Sequence, residues 1–378
     1  MTFDVTLDTK NKCGLLLIAL SVISAGCDQG DDSSDPNPWR VEAETGSSID
    51  SSSDSPSMDA RELTGEPDVE TSDSSATIDS RDTSDAPEPV FTRLKSGGSF
   101  ACSAISTGEL YCWNPGVAPT PIRMTQGPVD VFGVGGDRVC ARVNDSLHCW
   151  RWRDEKFQVV DVSLSGPIEQ LAVGSAYVCA LRKSGEVDCS GQNKHVTTKP
   201  PAAEFRKIEG AMNHVCGVTR GGEARCWGHG GVGETNPLGG PFDAVSTGHL
   251  TSCGIRPDGD VECWGRGTNP NASESSSDFD QGIPPDKPFE TVSMGGLHGC
   301  GIPEEGSIEC WGFGSDPDRD ESTKWAGPDY DQAVPPDGRF ERVAAASRFS
   351  CALSAEGEIV CWGRKYESGK SFTASSLQ

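Results

Sequence analysis

The sequence contains no Cys-x-x-Cys pair, no His-Glu-x-x-His, no glycine-rich phosphate loop, and no Ser, His and Asp set in a hydrolase order. Zinc knuckles, zincin-type proteases, phosphate-cradling nucleotide sites and triad hydrolases all depend on such spacings, so none of these classes shows its usual signature. Cations are scarce: 32 Lys and Arg stand against 57 Asp and Glu, a net charge of −25. A surface of that sign repels phosphate, which argues against nucleic acid and anionic lipid headgroups as partners. No apolar run reaches the ~20 residues that a membrane-spanning helix requires. Histidine is sparse, at six residues, so few groups are available to titrate near neutrality. Glycine and cysteine are plentiful instead, at 45 and 16 residues, and both recur at fixed intervals.

The recurring unit is clearest in its last copy, residues 340–363. It carries Phe340 and Val343, a small residue at Ala346, then Cys351, a turn ending in Gly357, and Cys361 followed by Trp362. Aligned on its first Cys, the unit occurs seven times, at Cys102, Cys140, Cys179, Cys216, Cys253, Cys300 and Cys351. Eleven residues earlier stand Phe91, Val129, Ile168, Phe205, Phe242, Phe289 and Phe340; five residues earlier the residue is always Gly or Ala. The second Cys follows ten residues later, except that Cys149 lies nine after Cys140. Trp comes next in six units, and Ser190 takes its place in the other. Such a repeat fixes the architecture before any single residue is interpreted.

The turn explains the cysteine spacing. Gly108, Gly185, Gly222, Gly259, Gly306 and Gly357 suit a three-residue hairpin loop that ends in a left-handed glycine. Asn144-Asp145 suits a two-residue type I′ turn, which shortens the loop by one and keeps the two Cys opposed. Counting outward puts each pair at a non-hydrogen-bonded site, where Cα atoms approach to about 4.5 Å. We read seven cross-strand disulfides: Cys102–Cys112, Cys140–Cys149, Cys179–Cys189, Cys216–Cys226, Cys253–Cys263, Cys300–Cys310 and Cys351–Cys361. Reduced core thiols are the alternative if the chain stays in the cytosol, so the compartment decides between the two.

Met1–Gly26 has the form of an export signal: Lys10 and Lys12 precede the apolar run Cys13–Gly26, too short to cross a bilayer. It ends Ser24-Ala25-Gly26-Cys27, which resembles a bacterial lipobox and so implies cleavage before Cys27 and a diacylglyceryl group on its sulfur. Ser24, Asp4 and Asp8 depart from that pattern. Export favours oxidised cysteines. Residues 27–88 then form an acidic linker. Between Asp28 and Glu88, 18 acidic residues face only Arg40, Arg61 and Arg81. Such a composition cannot bury enough surface to offset its ordering entropy, so the expectation is a disordered tether spanning roughly 45 Å.

Residues 89–378 are expected to form the folded domain. Each unit reads as several short strands, and small sheets that are apolar on both faces must stack on their neighbours. A closed ring achieves this without a long exposed edge, so the fold class is all-β, a seven-bladed β-propeller behind a signal peptide and a disordered acidic tether. Over about residues 89–365 the pattern Phe-x-x-Val, small residue, Cys-x-Leu, Gly-x-Val-x-Cys-Trp-Gly resembles the regulator of chromosome condensation repeat family, its Cys-paired bacterial members most of all. The resemblance implies the same propeller, with the ring closed by strands from the two chain ends. It says little about function. The eukaryotic archetype is a nuclear exchange factor for a small GTPase, to which an exported chain would have no access. Secreted bacterial relatives include a β-lactamase-inhibiting protein, which makes inhibition of a secreted enzyme one expectation. Most units lack the family's Gly-Gln-Leu-Gly stretch.

No residue stands out as catalytic, metal-ligating or cofactor-binding. His214 and His298 occupy the column that holds Phe100, Tyr177 and Phe349 elsewhere, which makes them packing residues. Asp316, Asp318 and Asp320 alternate like the start of a calcium loop, yet Glu321 stands where its glycine belongs. The two longest connections share an aligned block, Asp278–Asp286 and Asp329–Asp337. Phe279, Trp325 and Tyr330 lie in or beside these blocks and are the candidate partner contacts. The expected function is that of a monomeric, lipid-anchored scaffold at the cell envelope that binds a protein or a glycan, without enzymatic activity or cofactor. A propeller hydrolase or lyase would need carboxylates converging on the central channel or one rim.

Overall fold

The computed structural model describes residues 88–114, 118–191, 199–269, 279–315, 331–364 and 366–377. The signal segment, Cys27, most of the acidic linker, Asp316–Asp320, Trp325 and Tyr330 lie outside the described residues.

The described residues form seven antiparallel sheets, one per repeat, with strands paired in chain order. In each sheet an innermost strand carries the second residue of the early apolar pair, a middle strand carries the first Cys, and a third carries the second Cys. Among the described residues, sheets one, two and seven add a fourth strand, at Ala118–Arg123, Lys156–Val160 and Tyr366–Phe372. The hairpins follow the turn chemistry. In the first, Gly108 (φ 101°) donates its N–H to the Ile105 carbonyl at 2.9 Å while Ile105 donates to Glu109 at 3.0 Å, closing a three-residue loop. In the second, Asn144 (φ 49°) and Asp145 (φ 63°) are both left-handed, and Val143 pairs with Ser146 as a type I′ turn requires.

The innermost strands are Phe91–Gly97, Val129–Gly135, Gln170–Val173, Phe205–Gly210, Ala244–Thr247, Thr291–Met294 and Phe340–Ala345. Each touches the next, and the last touches the first, so the sheets form a ring. At Gly97, Gly135, Gly248 and Gly295 the small residue five before the first Cys follows from this approach: a Cβ on Gly135 would lie 1.7 Å from the Val173 carbonyl oxygen of the next sheet. Turn glycines add a second tie. The carbonyls of Gly108, Gly185, Gly222, Gly259 and Gly306 accept the N–H of Val129, Phe205, Phe242, Phe289 and Phe340 in the following sheet, at 2.7–2.9 Å.

Ring closure differs from the expectation. Among the described residues no sheet mixes strands from the two chain ends: sheet one lies within Phe91–Arg123 and sheet seven within Phe340–Phe372. Side-chain packing closes the ring instead. Phe91, Leu94 and Trp113 share one buried cluster with Leu353, Ile359, Cys351 and Cys361. Two backbone bonds support that seam, Phe91 to Gly357 at 3.3 Å and Ser347 to Gly98 at 2.8 Å.

Candidate functional site

All seven cysteine pairs are disulfides, with Cα separations of 4.0–4.1 Å, the narrow spacing of a non-hydrogen-bonded antiparallel pair. They serve as packing as well as cross-links. Each first Cys is at most 1% exposed, and several lie against the next sheet's apolar residue and Trp. Cys216 clusters with Phe242 and Trp264, Cys253 with Phe289 and Trp311, and Cys300 with Phe340 and Trp362. Sulfur therefore fills the space between sheets, and the clasped hairpins become one stack.

The two aligned connection blocks contribute to the same spaces. Asp280 (φ 58°) and Asp331 (φ 54°) turn the chain inward, which leaves Gln281 and Gln332 each 1% exposed. Their backbone carbonyls accept the indole N–H of Trp311 and Trp362 at 2.9 and 3.0 Å. Glu234 does the same for Trp264 at 2.9 Å. These residues are plugs between sheets rather than free loop. Phe279 is half-buried, with its ring 4.7 Å from that of Phe313.

Histidines complete two of the plugs. His214 is fully buried, and its Nε2 lies 2.8 Å from Ser252 Oγ, which donates to the Glu234 carbonyl at 3.0 Å. His298 repeats this with Ser350, at 2.8 Å, and Gln332, at 3.0 Å. Burial lowers both histidines to about 4, so both are neutral at physiological pH. At the Glu234 plug, burial raises the carboxyl, but the His229 ring and backbone N–H groups, Val232's among them, outweigh it and hold the group low. Burial, with Arg266 adding to it, lowers His249 nearby. No group of three or more His, Cys, Asp or Glu among the described residues is arranged to hold a metal ion.

The remaining candidate is the central channel, a cavity of about 260 Å³ lined by the innermost strands. The residues that pair in register with the first cysteines form one level of the innermost strands: Lys95, Gly133, Ala172, Glu209, Ser246, Ser293 and Ala344. All but Gly133 and Ala172 line the cavity. Five are small and two carry charge. Lys95 and Glu209 stand three sheets apart in a ring of seven, hence on nearly opposite walls. Burial raises the Glu209 carboxyl, with Lys95 acting against it. Ser246 and Ser293 accept the backbone N–H of Met294 and Ala345 in the next sheets at 2.9 Å each. Inspection of single motifs misses this pair; the column seven before each first Cys would have exposed it, as would the column of Ser252 and Ser350.

No protein-family description matches the chain, and no curated protein matches it. Among solved structures, the CRINKLY WD40 ectodomain of the Arabidopsis thaliana receptor kinase ACR4 aligns at a TM-score of 0.53 and 20% identity, covering 75% of this chain and 98% of that one. Prp20p of Saccharomyces cerevisiae, the yeast RCC1, aligns at 0.53 and 16% identity, covering 71% and 84%. Human WBSCR16 aligns at 0.54 and 13% identity, covering 70% and 87%. At these identities the likeness concerns the fold, which is an RCC1-like propeller.

Proposed function

We propose that the chain is an exported, non-catalytic binding module: a seven-bladed, disulfide-stapled propeller that presents its outer surface to a protein or glycan partner. The observation that carries this reading is the placement of the seven disulfides, whose first cysteines are buried between sheets. Oxidised cysteines used as core packing belong to an oxidising compartment, and a rigid ring with variable connections is a scaffold for recognition. Lipid attachment at Cys27 would tether the module at the bacterial cell envelope, with the acidic segment as spacer. That Prp20p is described with Gsp1p and histones shows a fold of this kind engaging proteins; it does not name this chain's partner.

The test compares the full-length oxidised chain with the same chain reduced and alkylated, each immobilised and exposed to envelope extract. The oxidised form is expected to retain one partner in stoichiometric amount and the alkylated form to lose it. Equal retention by both forms, or none by either, overturns the reading.

A further inference from the structure

The channel carries an inference separate from the outer surface. Every long charged side chain at the disulfide level of the wall is accounted for by Lys95 and Glu209, and neither makes a hydrogen bond or ion pair with any described residue. Charges elsewhere in the ring are treated differently: Arg142 pairs with Asp130, Arg151 with Asp137 and Arg256 with Glu262. Both are half-buried, and charge removed from water without a partner is unfavourable, while the five small residues at that level show that the fold does not need bulk there. Lys95 draws the Glu209 carboxyl down through space, yet no hydrogen bond or ion pair joins the two among the described residues.

We propose that the channel binds a small zwitterion whose ammonium and carboxylate are several bonds apart, a dipeptide or an amino acid with its amine at the far end. Glu209 would accept from the ammonium and Lys95 would donate to the carboxylate, with Arg342 at the same wall adding positive charge on that side. Ser246 and Ser293 use their oxygens to accept backbone N–H groups, which leaves both hydroxyl hydrogens to donate to a peptide carbonyl. The cavity, about 260 Å³, exceeds the roughly 150 Å³ that holds a six-carbon ring, so a molecule of this size enters without displacing the wall. The mixed charges disfavour an apolar ligand.

Titration calorimetry of the full oxidised chain with glycylglycine tests this, with N-acetyl-glycylglycine and glycylglycinamide as ligands that lack one charge each. Glycylglycine is expected to bind at least tenfold more tightly than either blocked form. Glu209→Gln should weaken glycylglycine about tenfold and leave the acetylated ligand unchanged; Lys95→Gln should do the same with respect to the amide. No measurable binding of glycylglycine, or equal binding of all three ligands, overturns the proposal. Because the blocked ligands are compared on the unaltered protein, the result does not depend on either variant folding.

Discussion

Two interfaces of the ring do the same job with different parts. Between sheets six and seven, Trp362 and Phe340 pack on the Cys300 disulfide, the Gly306 carbonyl accepts the Phe340 N–H at 2.9 Å, and Gln332 fastens Trp362 and Ser350. Between sheets two and three neither aromatic exists: Ile168 and Ser190 hold their columns. The vacated space is taken by Val160 at the end of the fourth strand and Val162 and Leu164 of the segment that follows, with Leu147 beside them. The Asn144-Asp145 turn makes no carbonyl tie to the next sheet among the described residues; instead Arg138 Nε donates to the Ser175 carbonyl at 2.9 Å. The ring requires a filled gap between sheets and is indifferent to which segment fills it. A connection that takes the place of Trp cannot also extend as a loop, whereas the sixth connection is free to be long.

Removing one filler from each interface should therefore have unequal effects. Trp362→Ala empties a buried aromatic site and breaks its bond to Gln332, so a loss of about 3–5 kcal/mol is expected. Ser190→Ala should fall within about 0.5 kcal/mol, since its hydroxyl only receives the Ser163 N–H at 3.3 Å near the surface. Ser190→Trp, although it restores the repeat, should destabilise by about 1–3 kcal/mol because the space is occupied. Denaturant unfolding of the oxidised variants measures all three. A stabilising Ser190→Trp would show that the interface is underfilled and that the comparison is wrong.

Acid separates the interfaces in a second way. His298 lies between sheets six and seven and His214 between four and five, whereas Arg138 stands in that column in sheet two. Both histidines are lowered to about 4 in the folded protein, so the unfolded chain binds more protons below its own value of about 6.5. Stability is then full above about pH 6.5 and declines as the pH falls toward 4, by up to about 2 kcal/mol per histidine at pH 5. Replacing both residues with Phe, the residue found in this column at Phe100 and Phe349, should flatten the decline between pH 6.5 and 4. Melting temperatures across that range measure it, and an unchanged slope in the double variant would remove the histidines as its cause.

Much of this was legible in the sequence because it is local. A ten-residue separation, a left-handed glycine and an antiparallel ladder constrain one another within a single hairpin, so the pairing of Cys300 with Cys310 and its register follow from a dozen residues. The Gly or Ala five before each Cys is just as periodic, though its cause, the backbone of the neighbouring sheet, lies outside the unit. What escaped is contact at long range. Gln332 reaching the indole of Trp362 thirty residues later, the Val160–Leu164 filler and the packed seam at Phe91 and Ile359 depend on which surfaces meet in the ring. Lys95 and Glu209 escaped for another reason: each is unremarkable alone, and only the five small residues in their column make them visible.

The turns supply a last contrast. Gly306 has φ 82°, and a Cβ there would meet nothing nearer than the Arg339 side chain at 3.4 Å, so Gly306→Ala tests backbone strain with little steric interference. The left-handed conformation costs a Cβ-bearing residue about 1–2 kcal/mol, and the carbonyl that ties sheet six to Phe340 sits on the same residue, so the loss should be near the upper end of that range. Asp145→Gly in the second hairpin runs the other way. Its φ of 63° is already left-handed, and the turn carries no tie to sheet three, so relief of strain is offset by added freedom in the unfolded chain and the change should stay within about 0.5 kcal/mol. Chemical denaturation of the two variants side by side measures the gap. Equal losses would mean that the turn carbonyl contributes nothing to the cohesion of neighbouring sheets, and that the side-chain fillers alone hold the ring together.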